Sequence, residues 1–186
     1  MAQPLCKDEH YTYADYLTWN DNERYELIDG ELYMMSPAPV WEHQSVSMSI
    51  SGQLYDFLRD KPCKVFTAPF DVRLNADTGD DTVLQPDIVV ICDPSKLGGT
   101  GCIGAPDMVV EILSPSTAGR DRIVKFQQYL KAGVREYWIV DMDTKTVSVN
   151  VLKNGQYVVN KYGEADTVPV HALNGCTISL PDVFVI

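Results

Sequence analysis

The sequence lacks the features of a membrane protein, a secreted protein or a cysteine-rich scaffold. No run of about 18 apolar residues is present, so we expect no transmembrane helix and no membrane partner. Residues 1–10 are polar and contain no apolar signal-peptide core. The five cysteines are odd in number and form no Cys-x-x-Cys pair. We therefore expect neither a disulfide framework nor a thiolate zinc site, and we expect a cytoplasmic protein.

The chain also has little positive charge. It carries 15 Lys and Arg against 26 Asp and Glu, which gives a net charge of −11. Proteins that hold duplex DNA mainly through its phosphates usually have a basic surface, so strong nonspecific binding of nucleic acid is not expected. The histidines (His10, His43 and His171) are too dispersed for a zinc site. Phosphate-binding loops, dinucleotide fingerprints and Gly-x-Ser-x-Gly motifs are missing.

What the sequence does contain is an ordered succession of helices and strands. With 186 residues, 45% of them hydrophobic, we expect one domain over residues 1–186. The patterns predict, in order, a helix over 11–19, a hairpin at Asp29-Gly30, a helix over 42–59, strands over 64–74, 83–92 and 108–113, a helix over 121–132, a strand over 136–141, a hairpin at Asn154-Gly155, and one or two edge strands in the tail. This order predicts an α/β (α+β) fold in which helices flank a mixed sheet, with additional N-terminal and C-terminal hairpins.

Two acidic residues interrupt apolar strands. Asp87 lies in the run from Val83 to Ile91, and Glu111 lies in the run from Met108 to Leu113. A charge in such a run costs several kcal/mol unless it is paired, hydrogen-bonded or bound to a metal. A divalent cation between the two would remove both the burial cost and the mutual repulsion, and oxygen ligands suit Mg²⁺ or Mn²⁺. Alternatively, each carboxylate lies on a solvated strand end or accepts backbone amides.

Several segments carry a resemblance. Pro86-Asp87 followed after 23 residues by Glu111-Ile112-Leu113 resembles the PD-(D/E)XK nuclease signature, and the helix and strand order is that of the restriction-endonuclease-like core. The chain also resembles the bacterial Uma-two family of predicted endonucleases. The segments that carry this likeness are 24–30, 86–87, 111–117, 121–125 and 133–141. The resemblance implies metal binding by Asp87 and Glu111.

One position departs from that signature. Its lysine is expected at position 113, where this sequence has Leu113. In relatives of this kind the lysine lies on the following helix, which indicates Lys125 here. With Ile123, Phe126 and Leu130 predicted to face the core, Lys125 would lie on the helix flank, from which it could reach the carboxylates. The alternative is a solvated lysine paired with Asp121, one helical turn earlier.

Three further residues are candidates with structural alternatives. Glu26, in the early hairpin, is a candidate for a further acidic residue that completes the site, or an exposed strand glutamate. His43, at the start of the long helix, is a candidate for contact with a phosphate or water, or a structural histidine. Asp141, at the end of a core strand, is more typical of a turn than of a ligand. The glycine-rich stretch from Gly98 to Gly101 is predicted to be a flexible loop between strands.

The resemblance implies a metal-dependent endonuclease that hydrolyses DNA phosphodiester bonds. Asp87, Glu111, Lys125 and Glu26 would be the catalytic residues and His43 would bind substrate, with Mg²⁺ or Mn²⁺ as cofactor. A homodimer that cuts both strands is also expected, with the C-terminal hairpin offering an edge for strand pairing. Two alternatives stay open: a catalytically weak or inactive nuclease-fold interaction module, and a nucleotide or small-molecule phosphohydrolase.

Overall fold

The computed structural model describes residues 9–19, 23–35, 38–114, 119 and 121–185. The helices are α1 (Tyr13–Tyr16), α2 (Trp41–Leu58), α3 (Phe126–Ala132) and α4 (Leu180–Val183). The strands are β1 (Tyr25–Ile28), β2 (Glu31–Met34), β3 (Lys64–Thr67), β4 (Asp71–Arg73), β5 (Val83–Leu84), β6 (Ile88–Ile91), β7 (Leu97–Gly98), β8 (Gly101–Ile103), β9 (Met108–Ile112), β10 (Glu136–Asp141), β11 (Thr146–Lys153), β12 (Gln156–Gly163), β13 (Thr167–Pro169) and β14 (Thr177–Ser179).

The central sheet is mixed, as the sequence predicts. Its strand order is β12-β11-β10-β9-β6-β3, in which only the β9–β10 pairing is parallel. The apolar positions of α2 repeat every three to four residues, so Val46, Ile50 and Leu54 lie on one side of the helix and are fully buried. They join a core cluster with alternate residues of β6, β9 and β10. The other face of the same strands contributes to a second cluster.

A second sheet and α3 pack against the other face of the central sheet. The second sheet has the order β2-β1-β5-β4-β8-β7. Its residue Leu84 packs in one cluster with Val89 and Val109 of the central sheet and with Tyr129 of α3. The restriction-endonuclease-like order of α2, β3, β6, β9, α3 and β10 is therefore present, with a second sheet added beside it.

Both predicted hairpins form where the turn residues indicate. Asp29 and Gly30 have φ of 49° and 80°, and Asn154 and Gly155 have φ of 50° and 78°. Two successive positive φ values define the turn that matches the twist of the flanking strands, which is why Asn-Gly and Asp-Gly are favoured there. The hairpins β1–β2 and β11–β12 are confirmed.

Two strands predicted as continuous are divided instead. The segment 64–74 becomes β3 and β4, separated by a cis peptide bond at Ala68-Pro69, and the segment 83–92 becomes β5 and β6, separated at Pro86. In each case the first and second halves join different sheets. Proline cannot donate to a ladder, so each strand pairing ends there and the chain is free to cross between sheets.

Other expectations about local structure are wrong. Residues 97–103 form the hairpin β7–β8 rather than a flexible loop, and Gly101 is required because a Cβ there would lie 1.9 Å from the Asp71 carbonyl oxygen. The strands β13 and β14 pair with each other in a separate small sheet rather than extending the central one. The first helix spans only Tyr13–Tyr16, with both the Thr12 N–H and hydroxyl donating to Asp15 at 2.8 Å.

Two further corrections concern side chains. Ile123, predicted to face the core, is 60% exposed, because π-helical pairing over Asp121–Lys125 changes the residue spacing around the helix before α3 begins. Cys63 and Cys92, predicted to be unpaired, form a disulfide one step beyond the Lys64–Ile91 pair of β3 and β6.

Among the described residues, no helix is both long enough and apolar enough to cross a bilayer.

Candidate functional site

The two predicted metal-binding residues lie at the same end of neighbouring antiparallel strands. Ile88 of β6 pairs with Val110 of β9, so one further step of the register places Asp87 opposite Glu111. Asp87 lies just before β6, and its Oδ2 accepts the Ile112 N–H at 2.7 Å. That N–H donor belongs to the residue after Glu111, so the two acidic residues are linked through one peptide unit.

Glu111 is part of a buried ionic cluster. Its Oε1 lies 2.9 Å from the Lys125 ammonium, which also lies 2.8 Å from Oε1 of Glu26. The side chains of all three are no more than 5% exposed. Burial strengthens such contacts and makes each charge costly to leave unpaired. The structure thus brings Glu26, Glu111 and Lys125 together from β1, β9 and the start of the α3 region.

Tyr129 completes the surroundings of Glu111. Its hydroxyl donates to Glu111 Oε1 at 2.8 Å, and the ring is fully buried. Burial, with a further contribution from the Glu111 charge, raises the pKa of Tyr129 well above its ordinary value. The phenol therefore stays protonated and remains a hydrogen-bond donor to this carboxylate over the neutral range.

His43 lies on the Asp87 side of the site. It is in the first turn of α2, only 6% exposed, and its Nε2 lies 3.3 Å from Asp87 Oδ2 and 3.2 Å from the Ile112 carbonyl oxygen. Both neighbours are acceptors, so Nε2 is the donor in this arrangement. The five candidate residues therefore surround the end of β9 at Glu111-Ile112.

A buried glutamine in the connection between β5 and β6 supports Glu26. The Gln85 N–H donates to Glu26 Oε1 at 3.2 Å. Its side-chain amide donates to Tyr16 at 2.9 Å and to Asp71 at 3.0 Å, while its oxygen accepts from Arg24. Burial, reinforced by the Asp71 charge, raises the pKa of Tyr16 to about 12. This network fixes the crossing between β5 and β6 next to the site.

Sequence reasoning missed Tyr129 and Gln85. Tyr129 follows Lys125 by four residues, which places the two on one side of a helix. The apolar pattern of that helix is typical of an ordinary core tyrosine, so nothing in it marked Tyr129 as part of the site. Gln85 precedes Pro86-Asp87 in an otherwise apolar run, and a polar residue there was the available signal. Asp141 lies outside the cluster: it bonds Arg122 and the Thr144 N–H, as a turn residue does.

The cluster has the donor chemistry of a hard-cation site without a complete set of ligands. Within the part of the chain that the structure describes, no group of three or more His, Cys, Asp or Glu side chains is arranged to hold a metal ion. The oxygen donors available are the carboxylates of Asp87 and Glu111 and the Ile112 carbonyl. Mg²⁺ in hydrolytic sites commonly uses one or two carboxylates and completes its shell with water and substrate phosphate, so this donor set fits it.

Comparisons with known proteins assign the chain to a nuclease-like family. The sequence profile described as "Uma2: Putative restriction endonuclease" matches residues 13–181. The chain belongs to this family. The uncharacterised protein slr1290 of Synechocystis sp. is 27% identical over 163 residues, covering 86% of this chain and 84% of the relative. A second one, sll1609, is 27% identical over 135 residues, covering 70% and 74%.

A solved structure shows the same fold. The crystal structure of "a putative nuclease belonging to DUF820" from Anabaena variabilis superposes with a TM-score of 0.75 at 22% identity. The match covers 94% of this chain and 97% of that one. At this identity the likeness concerns the fold, and it confirms the predicted restriction-endonuclease-like architecture.

Proposed function

We propose that this chain is a Mg²⁺- or Mn²⁺-dependent endonuclease that hydrolyses DNA phosphodiester bonds. The observation that carries the proposal is the buried Glu26–Lys125–Glu111 cluster, linked through Ile112 to Asp87 at the end of the adjacent strand. Three ionised groups in a protein interior are costly to retain, and such groups cluster at functional sites. Membership of a nuclease-like family supports phosphodiester hydrolysis as the reaction.

Asp87 and Glu111, helped by the Ile112 carbonyl, would hold the metal. When bound, the ion would polarise the scissile phosphate, lower the pKa of its water and stabilise the leaving oxygen. The side-chain exposure of the two carboxylates is unequal, 21% for Asp87 and 5% for Glu111, so a cation would be reached from the Asp87 side.

Lys125 would orient the attacking water and offset negative charge that develops at phosphorus. Its ammonium is held by two carboxylates, which favours these roles over removal of a proton from the water. Glu26 would keep Lys125 aligned, and the Gln85 N–H would in turn hold Glu26. His43 would hold Asp87 and the Ile112 carbonyl in place and contact a phosphate oxygen or water.

The acidic surface shapes the expected substrate behaviour. With a net charge of −11, the chain should bind DNA weakly and release it readily as salt rises. We propose a homodimer as the active form because two sites cut two strands. Low affinity for DNA without metal is therefore part of the proposal.

The direct test is cleavage of supercoiled plasmid by the purified chain with Mg²⁺ or Mn²⁺. Asp87→Ala should reduce the rate at least about 100-fold, since metal stabilisation contributes several kcal/mol. Lys125→Met should do the same, whereas Lys131→Met, at an exposed lysine of α3, should not. Titration calorimetry with Mn²⁺ should show binding that Asp87→Ala abolishes.

Each contrary result has a distinct meaning. Cleavage that survives Asp87→Ala excludes this site. Metal-dependent release of phosphate from nucleoside triphosphates, without cleavage of plasmid, would indicate the phosphohydrolase. Mn²⁺ binding or DNA binding without any turnover would indicate a nuclease fold that serves as an interaction module.

A further inference from the structure

The outer face of α2 carries a stripe of large apolar side chains. Opposite the buried Val46 and Ile50, the helix exposes Trp41 by 67%, Met48 by 72% and Tyr55 by 62%. A spacing of seven residues is nearly two helical turns, so these side chains lie in one line. We call this surface the α2 stripe and define it as Trp41, Gln44, Met48, Gly52 and Tyr55. Its three large side chains follow one another at about 10 Å along the helix, and a row of exposed large apolar side chains on one helix face is a candidate interaction site.

Gly52 lies in the middle of the stripe without an intramolecular reason. A Cβ built at this position meets no atom within 4 Å, and its φ is not in the left-handed region. Glycine inside a helix is destabilising relative to alanine. A position that tolerates a side chain sterically, yet keeps glycine at a cost to the helix, suits the close approach of another helix.

The stripe is uncharged, although the chain as a whole is strongly acidic. Of the charged residues within α2, Glu42 lies about 120° around the helix from Met48 and Asp56 about 80°. Two copies of a chain with net charge −11 repel one another over most of their surface. An uncharged apolar line is the kind of surface on which two such copies can meet without placing like charges together.

We propose that the occupant of the α2 stripe is the same helix of a second copy of this chain. The stripe is self-complementary about Met48. Trp41 and Tyr55 lie seven residues to either side, and Gln44 and Gly52 lie four residues to either side. In an antiparallel pair with its twofold axis at Met48, each Trp41 contacts Tyr55 of the other copy, and each Gln44 covers Gly52 of the other copy. This is the residue reciprocity that an isologous interface requires.

The size of the stripe is compatible with a dimer. The 18 residues of α2 span about 27 Å. Three large side chains that each offer 150–250 Å² and are about two-thirds exposed contribute roughly 300–500 Å² per copy. The polar residues around them bring the total near the ~1,000 Å² that a specific interface needs. The predicted interface is therefore of modest size.

The first test is sedimentation equilibrium of the full chain without metal or DNA. The wild type should have twice the 20.8 kDa mass of one chain. Met48→Glu places two carboxylates against each other at the twofold axis and should raise the dissociation constant at least about 100-fold. The matched control is Val159→Glu, which puts the same charge on a half-exposed residue of the edge strand β12 and should leave the dimer intact.

The second test uses Gly52→Ala. The methyl group removes the helix penalty of glycine, so under conditions in which the chain is monomeric the melting temperature should rise by about 2–4 °C. The same methyl group fills the space reserved for the other helix, so the dimer should weaken. A single substitution that stabilises the fold and weakens association separates interface disruption from misfolding.

Cross-linking supplies a geometric check. Met48→Cys should give a covalent dimer under mild oxidation, because the two introduced thiols meet at the axis, while Val159→Cys and the wild type should not. A monomeric wild type, or a dimer unaffected by Met48→Glu, overturns the proposal. A dimer lost with Val159→Glu moves the interface to the C-terminal hairpin. The inference rests on the homodimer of the proposed function, so a monomeric wild type would remove that dimer as well. None of these measurements uses nuclease activity, so metal binding and phosphodiester hydrolysis at Asp87 and Glu111 would still stand or fall by the plasmid and calorimetry tests.

Discussion

Two buried glutamates on neighbouring parallel strands are stabilised in different ways. Glu136 of β10 is fully buried, and its carboxylate is held mainly by N–H donors, the Trp138 indole and the Ala172 and His171 backbone, with the smallest contribution from the charge of His171. Glu111 of β9 is 4% exposed, and a cation and a phenol hold it, from Lys125 and Tyr129.

The difference distinguishes a carboxylate that stabilises the fold, Glu136, from one that belongs to the candidate site, Glu111. Around Glu136, every described donor is part of the surrounding fold, and the contact ties the 170–176 turn to the central sheet. Around Glu111, the partner is itself a buried charge that another buried charge, Glu26, must neutralise. A core assembled for stability alone would be at least as stable with apolar residues at these positions.

The largest effect is expected for Lys125→Met. Removal of the ammonium leaves Glu26 and Glu111 buried and facing each other, which should reduce the free energy of unfolding at pH 7 by about 3–5 kcal/mol. Urea unfolding measures this change. Lys131→Met, whose side chain is 71% exposed, should change stability by less than about 0.5 kcal/mol. A loss below 1 kcal/mol for Lys125→Met would show that the cluster does not depend on its cation.

A smaller effect is expected for Trp138→Phe, on the structural side of the comparison. The variant removes the indole donor to Glu136 and part of a fully buried ring, so it should cost about 2–4 kcal/mol. A double-mutant cycle with Glu136→Gln isolates the hydrogen bond from the packing loss. No coupling between the two substitutions would contradict the role assigned to the indole.

Tyr129→Phe should have a moderate effect on stability and a specific one on the site. Loss of a hydrogen bond to a charged group costs about 1.5–3 kcal/mol. Because the phenol orients Glu111, Mn²⁺ affinity should fall about 10–100-fold in calorimetry. The matched variant is Tyr157→Phe, which removes a phenol that donates to the neutral Val134 carbonyl and should leave Mn²⁺ affinity unchanged. Equal affinities in both variants would remove Tyr129 from the site.

The smallest effect concerns pH. Burial raises the pKa of Glu136 above its ordinary value, and the N–H donors of Trp138, Ala172 and His171, with the charge of His171, oppose this only in part. A carboxyl whose pKa is raised by folding contributes stability below its unfolded pKa, and that contribution is lost as pH rises through the folded pKa. The stability of the wild type relative to Glu136→Gln should therefore decrease as pH rises above 4.5. Chemical denaturation from pH 4 to 8 tests this, and an increase across that range would reverse the assignment.

Much of the site neighbourhood could be anticipated from local patterns. An acidic residue inside an apolar strand is costly, so Glu111 and the Pro86-Asp87 step stood out without a structure. To predict that Asp87 and Glu111 lie close together, one needs to assume only that their strands pair, and the register of β6 and β9 shows that they do. The exposure of Lys125 could not be decided, because an amphipathic pattern places a flank residue either in solvent or against the sheet, and π-helical pairing changed the spacing.

Long-range pairing explains the expectations that were wrong. The disulfide between Cys63 and Cys92 depends on the β3–β6 register, which residue spacing along the chain does not reveal. The expected cytoplasmic location rested on unpaired cysteines, and it stays a prediction without that support. Tyr129 and Gln85 resembled ordinary core or loop residues until the structure showed which groups they contact.

The sequence by itself determined the order of the core helices and strands from α2 to β10, the two hairpin turns and the identity of the costly carboxylates. These features follow from hydrophobic periodicity, from turn geometry and from the free-energy cost of a buried charge, and each of these can be recognised within a few residues of sequence. Only the tertiary structure decided where each strand crosses between sheets, that Lys125 is buried against Glu111 rather than solvated, and that Trp41, Met48 and Tyr55 stay exposed. Those outcomes depend on contacts between residues distant in the chain, because burial and electrostatics are set by the groups that surround a side chain in space.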